Sequence, residues 1–129
     1  MARLRDIMTT EVVTTSAERP VAEVTGMMVK ARVGSAVVVQ GSWLAGILTE
    51  RDVLRAVASG SDLTKSPVSQ WMTKDPVTAT PDMTTEEAAA LMLTNGFRHL
   101  PVLEGRSLKG VVSVRDVLAS GIRRRPRRQ

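Results

Sequence analysis

Residues 46–54, GILTERDVL, return 64 positions later as GVVSVRDVL, residues 110–118. The same offset aligns the chain without a gap. Met8-Thr9 falls on Met72-Thr73, Val13-Thr14 on Val77-Thr78, Glu23 on Glu87 and Met28 on Met92. Gly41, Leu44 and Gly46 fall on Gly105, Leu108 and Gly110, and Arg51 to Leu54 on Arg115 to Leu118. A tandem duplication constrains the fold more than any other feature. Each copy, at roughly 60 residues, is too short to bury a comfortable core alone. The two are expected to share one and to face each other about a pseudo-two-fold axis.

Each copy reads as β-α-β-β-α. EVVTT is a short strand, and Val21, Val24, Met28 and Ala31 recur at helical spacing through VAEVTGMMVKA. SAVVVQ and WLAGILT read as a hairpin joined at GS, and Val53, Leu54 and Val57 share a helical face over Glu50 to Ser59. In the second copy PVTAT is the expected strand. A helix follows with Thr84 or Thr85 as N-cap and Gly96 as stop, then HLPVLE, the turn GR, LKGVVS and a helix from Val114 to Ser120. The fold class is α+β, with a small mixed sheet in each repeat and helices on one face. The expected boundaries are repeat 1 at 1–59, a polar linker at 60–69, repeat 2 at 70–120 and a basic, solvated tail at 121–129.

Composition excludes several classes of function. With no cysteine there are no disulfides, thiolate zinc sites or cysteine nucleophiles. One histidine, His99, supports neither a metal cluster nor a nucleophilic triad. No apolar run approaches a membrane span and no leader is evident, so the expected compartment is the cytoplasm. The net charge of +5 suggests nucleic acid, but Arg123, Arg124, Arg125, Arg127 and Arg128 account for all of it. The body is formally neutral. The tail reads as a solvated end or as an unspecific contact for nucleic acid or another acidic surface.

The repeated motif places a hydroxyl and a carboxylate at a strand–helix junction. Thr49 and Asp52, like Ser113 and Asp116, stand where a helix start exposes unsatisfied N–H donors. Two readings are open. The pair caps the helix, or it binds a ligand, the carboxylate taking ribose hydroxyls, the hydroxyl a phosphate or ribose oxygen, and Gly46 permitting close backbone approach. Duplication favours two matching sites. Glu86 and Glu87 open a helix, where carboxylates suit the dipole, and no catalytic constellation is present. Met27, Met28, Leu91 and Met92 read as core or subunit-interface packing, and Trp43 and Trp71 as candidates to stack on a neighbouring subunit.

From about Leu4 to Ser120 the chain resembles the CBS domain family in its paired form, the Bateman module. The resemblance rests on IMTTEVVTT and WMTKDPVTATP at the copy starts, RHLPV in the second copy, and the two G-h-h-[ST]-x-x-D endings. It implies two clefts between the copies for adenosine-containing ligands (AMP, ADP, ATP or S-adenosylmethionine), with no obligatory cofactor. By position the first cleft would use Thr49, Arg51 and Asp52 with Pro76, Val77, Arg98, His99 and Pro101. Asp52 would hold the ribose, Arg98 and His99 the phosphate, and Val77 and Pro101 the base. The second would use Ser113, Arg115 and Asp116 with Thr10, Val12, Val13, Ser35 and Val37. Where copy two has Arg98-His99, copy one has the uncharged Gly34-Ser35, so the clefts are expected to be unequal, the Asp52 cleft favouring a phosphorylated ligand. The expected function is a non-catalytic sensor, a homodimer that signals to a regulated protein by conformational or dimer rearrangement. The alternatives are a nucleic-acid-binding protein with the pair as dimerisation scaffold, or a purely structural dimer.

Overall fold

The computed structural model describes residues 2–124, with side chains through residue 122. Two compact units emerge, one formed by Val12–Pro76 and the other by the chain up to Glu11 together with the chain from Val77 onward. The opening segment of the protein thus belongs to the unit that carries the second hairpin. Each unit has its own cluster of buried aliphatic side chains, as a chain almost without aromatic residues requires.

In the Val12–Pro76 unit, β1 (Thr14–Thr15) leads to α2 (Val21–Ala31), then β2 (Ser35–Gln40), β3 (Trp43–Thr49), α3 (Glu50–Ala58), a 3-10 turn at Val68–Gln70 and β4 (Thr73–Lys74); α1 (Leu4–Ile7) lies in the other unit. The sheet order is β1-β2-β3-β4, with β1 parallel to β2 and the other pairs antiparallel. Gly41 at φ 62° makes the hairpin turn, and a bulge follows Val38. Val21, Val24 and Met28 are buried as their spacing predicts, while Ala31 is exposed.

The other unit repeats this plan through α4 (Thr85–Asn95), β5 (His99–Glu104), β6 (Ser107–Ser113) and α5 (Val114–Arg124). Its sheet has two full strands, flanked by single bridges at Ala79↔Val102, parallel, and Thr9↔Val111, antiparallel. Both bridges lie 64 residues from register pairs of the first sheet, Thr15↔Val38 and Thr73↔Ile47. The expected strand PVTAT is therefore reduced to one bridging residue. α5 runs to Arg124, past the expected end at Ser120. One glycine costs a helix only about 1 kcal/mol, and Gly121 is followed by better formers.

Two helix starts show why residues outside the core elements matter. α2 begins after Pro20, which offers no side-chain cap, and its first N–H groups donate to Ser66 O and Leu63 O, both at 2.9 Å. The stretch read as a linker thus satisfies donors that would otherwise be orphaned. In the other unit Thr84 caps α4 by accepting from Glu87 N at 3.1 Å, and Thr85 N donates to Ala2 O at 3.1 Å. The choice between Thr84 and Thr85 falls to Thr84.

The helix ends differ. Gly96 closes α4 at φ 72°, with its N–H on Met92 O, as the sequence suggests. The equivalent residue closing α2 is Arg32, held at φ 60°. A side chain in the left-handed region costs roughly 1–2 kcal/mol, and glycine's larger unfolded-state entropy offsets about half of that. Arg32→Gly is expected to raise the unfolding free energy by about 0.5–1 kcal/mol, measured by urea denaturation; a loss would show that Arg32 makes a compensating contact.

Candidate functional site

The strand–helix junctions are the chemical features the fold presents twice. In the first, β3 ends at Thr49 and α3 begins at Glu50, whose N–H donates to Gly34 O at 3.0 Å. Asp52 is 4% exposed, a burial that a carboxylate tolerates only with hydrogen-bond donors around it. Its Oδ2 accepts from Thr49 N at 2.9 Å and from Thr49 Oγ1 at 3.1 Å, and its Oδ1 accepts from Arg55 at 3.0 Å. Ser35 lies directly across the hairpin from Thr49, and Val37 across from Ile47, with Val37 N donating to Val13 O at 2.8 Å.

In the second junction Ser113 N donates to Asp116 Oδ2 at 2.9 Å, and Asp116 N donates to Ser113 Oγ at 3.1 Å, a reciprocal capping box. Val114 N donates to Arg98 O at 2.9 Å, and His99 lies opposite Ser113. Asp116 is only half-buried. Both open readings of the motif therefore start from capping: each carboxylate is tethered to the hydroxyl residue's own N–H, which fixes it at the helix mouth.

The proposed contact residues divide between the units. Thr49, Arg51, Asp52 and Pro76 stand in the Val12–Pro76 unit with Val12, Val13, Ser35 and Val37; Thr10, Val77, Arg98, His99, Pro101, Ser113, Arg115 and Asp116 stand in the other. Within its own unit, Ser35 is brought beside Thr49 and His99 beside Ser113. Thr10, Arg51, Val77, Arg98 and Arg115 are exposed, whereas Val37 and Pro101 are fully buried. The tail arginines Arg125, Arg127 and Arg128, and the side chains of Arg123 and Arg124, lie outside the described residues.

Val53, Leu54 and Val57, which share one helical face by their spacing, divide in the structure: Val53 packs on the core, Leu54 and Val57 are exposed, and Asp52 and Ala56 are buried. Two side chains join the first junction that the sequence does not place there: Arg55, and Trp71, read above only as a candidate to stack on a neighbouring subunit. Arg55 holds Asp52, a contact signalled by the i, i+3 spacing of opposite charges. Trp71 lies beneath Arg55, its ring centroid 5.7 Å from the guanidinium carbon, a contact between distant positions that no local pattern announces. Glycine in the motif also has a structural role. A Cβ on Gly46 would meet Thr73 O at 2.7 Å, and one on Gly110 would meet Thr9 O at 2.6 Å.

Among the described residues no cluster of His, Asp or Glu could hold a metal ion, and no helix is long and apolar enough to cross a membrane. The CBS domain model matches the chain twice, at residues 4–59 and 68–122. The chain belongs to the CBS domain family. It is 36% identical over 118 residues to the CBS domain-containing protein YhcV of Bacillus subtilis, an alignment covering 91% of this chain and 84% of that one. Among solved structures, a CBS-domain containing protein from Agrobacterium tumefaciens superposes with a TM-score of 0.87 at 31% identity, covering 93% of this chain and 99% of that one. A CBS domain protein from Pyrobaculum aerophilum complexed with AMP superposes with a TM-score of 0.82 at 27% identity, covering 92% and 97%. The chain is thus a CBS pair, and the mixed α+β architecture of its two repeats is that of its structural neighbours.

Proposed function

We propose that this CBS pair is a non-catalytic regulatory module that binds an adenosine-containing ligand at its two strand–helix junctions. The observation that carries the reading is the repeated pairing of a helix start with a tethered carboxylate, Asp52 in one unit and Asp116 in the other. A ribose offers two adjacent hydroxyl donors, and a fixed carboxylate is their natural acceptor. The AMP complex of the Pyrobaculum relative supports the ligand class. Thr49, Arg51, Pro76, Val77, Arg98, His99 and Pro101 are assigned to the Asp52 ligand. Thr10, Val12, Val13, Ser35, Val37, Ser113 and Arg115 are assigned to the Asp116 ligand. Self-association is part of the same reading: Leu54 and Val57 on α3, and Leu118 and Ile122 on α5, are each at least 60% exposed and suit the interface of a homodimer.

Ligand binding shifts an equilibrium only through differential affinity for two states, so the first measurement is affinity. AMP, ADP, ATP and S-adenosylmethionine, each in a thermal unfolding series, form the test. A ligand at about ten times its dissociation constant is expected to raise apparent stability by about 1.4 kcal/mol. Asp52→Ala and Asp116→Ala are each expected to remove one binding event in calorimetry. The absence of any shift across the panel would overturn the reading.

A further inference from the structure

We infer that Arg55 is a latch on Asp52, closing one of the two ribose-accepting carboxylates in the free protein, and that ligand binding there releases it. The inference rests on the adenosine reading above and adds a regulatory residue to it.

A carboxylate has about four lone-pair sites for hydrogen bonds. Asp52 spends three of them: Oδ2 on the Thr49 N–H and hydroxyl, and Oδ1 on Arg55. One site remains, and a ribose diol needs two. The Thr49 N–H is part of the chain at the helix mouth and cannot leave without fraying α3. The Arg55 side chain, 58% exposed, can swing into solvent. The Thr49 hydroxyl can rotate away but shares Oδ2 with the fixed N–H, whereas Arg55 occupies Oδ1, so Arg55 is the donor that must yield before a diol can reach both oxygens.

Trp71 makes the closed position specific. The guanidinium lies over the indole at 5.7 Å, and the Trp71 Nε1 is buried with no hydrogen-bond partner. The ring therefore serves Arg55 as an apolar, electron-rich platform, which holds a planar cation better than solvent does. Carboxylate, guanidinium and indole all lie within the Val12–Pro76 unit.

The equivalent positions in the other unit, 64 residues away, are Asp116, Ala119 and Ile7. Neither cation nor ring is present there. Among the described residues Asp116 accepts only from Ser113 N, and no ion pair reaches it. The duplicated motif has thus become an open acceptor and a latched one. The asymmetry expected from Arg98 and His99 is joined by a second that works on the carboxylate itself, and it makes Asp116 the acceptor that is ready without rearrangement.

The test uses the full chain with Trp43→Phe and Asp116→Ala, so that Trp71 alone reports and Asp52 alone binds, with AMP as the probe. Adding AMP is expected to shift Trp71 emission as the guanidinium leaves the ring. Adding Arg55→Ala is expected to abolish that shift and to tighten AMP about threefold, the scale of a half-exposed ion pair. Unchanged or weaker AMP binding in Arg55→Ala would overturn the latch while leaving the nucleotide reading intact; weaker binding would assign Arg55 to the ligand. If neither AMP nor any other of the four adenosine compounds binds the variants or the wild-type chain, the nucleotide reading falls and the latch falls with it.

Discussion

Leu4→Ala is expected to lower the unfolding free energy by about 3 kcal/mol, within the range for burying and then deleting a leucine side chain in a packed core. Leu4 belongs to a helix of only four residues near the start of the chain, where substitutions are ordinarily tolerated. Its burial says otherwise. Leu4 is fully buried in the cluster of Ala88, Met92, Leu100, Val102 and Val112. The segment is fastened on both sides of it: Leu4 N donates to Met83 O at 2.9 Å, Arg3 donates to Asp82 O at 2.8 Å, and Arg5 pairs with the Asp82 carboxylate. The two arginine contacts are exposed and contribute little by themselves, so the apolar side chain carries most of the attachment. Urea denaturation checks the value. Leu93→Ala is the control, since Leu93 is 85% exposed and its loss is expected to change stability by less than about 0.5 kcal/mol. A Leu4 variant as mild as that control would show that the opening segment is not part of the unit.

Val68 is the counterpart of Leu4, and it too is fully buried, with its N–H on Arg19 O at 2.9 Å. This equivalence explains what sequence could and could not disclose. The offset of 64 residues, the helix at Val21–Ala31, the hairpin turns and the Gly96 stop were all legible, because each is fixed by local chemistry: periodicity, turn residues, a left-handed cap. A gapless tandem repeat does not say which copy a shared segment packs upon. Residues 2–11 and 66–75 match one another equally well wherever they dock, so the exchange of opening segments was invisible to the pattern. For the same reason the 60–69 stretch, polar and proline-containing, reads as a linker although Leu63 O and Ser66 O complete α2. The candidate site was legible as a doubled hydroxyl–carboxylate motif. Its inequality was legible only in part, since Arg98-His99 against Gly34-Ser35 is written in the copies, whereas the Arg55–Trp71 contact needs the fold. The shared face of Val53, Leu54 and Val57 on α3 was legible, but not that Val53 packs inward with Asp52 and Ala56 while Leu54 and Val57 face outward.

Gly46→Ala and Gly110→Ala are each expected to cost about 3 kcal/mol of stability, at the upper end for overpacking a tight site. The motif alone suggests that glycine admits a ligand. The structure shows instead that the approaching backbone is the protein's own. A Cβ on Gly110 would stand 2.6 Å from Thr9 O and 3.0 Å from Met8 Sδ; on Gly46 the neighbours are Thr73 O at 2.7 Å and Met72 Sδ at 2.9 Å. A methionine side chain has room to repack, but the carbonyl oxygen does not. Thr9 O accepts from Val111 N at 2.9 Å while Thr9 N donates to Val111 O at 2.9 Å, so relieving the clash breaks a pair of ladder bonds. Each glycine therefore holds the exchanged opening segment of one repeat against the hairpin of the other. Thermal and urea unfolding of the ligand-free variants distinguish the two roles, because a glycine kept for ligand approach would lower affinity and leave stability unchanged. Gly26→Ala supplies the opposite sign. Gly26 lies inside α2, a Cβ there meets nothing within 4 Å, and the substitution is expected to stabilise by about 1 kcal/mol. One substitution type thus separates a glycine that merely loosens a helix from two that join the repeats' exchanged segments to their sheets.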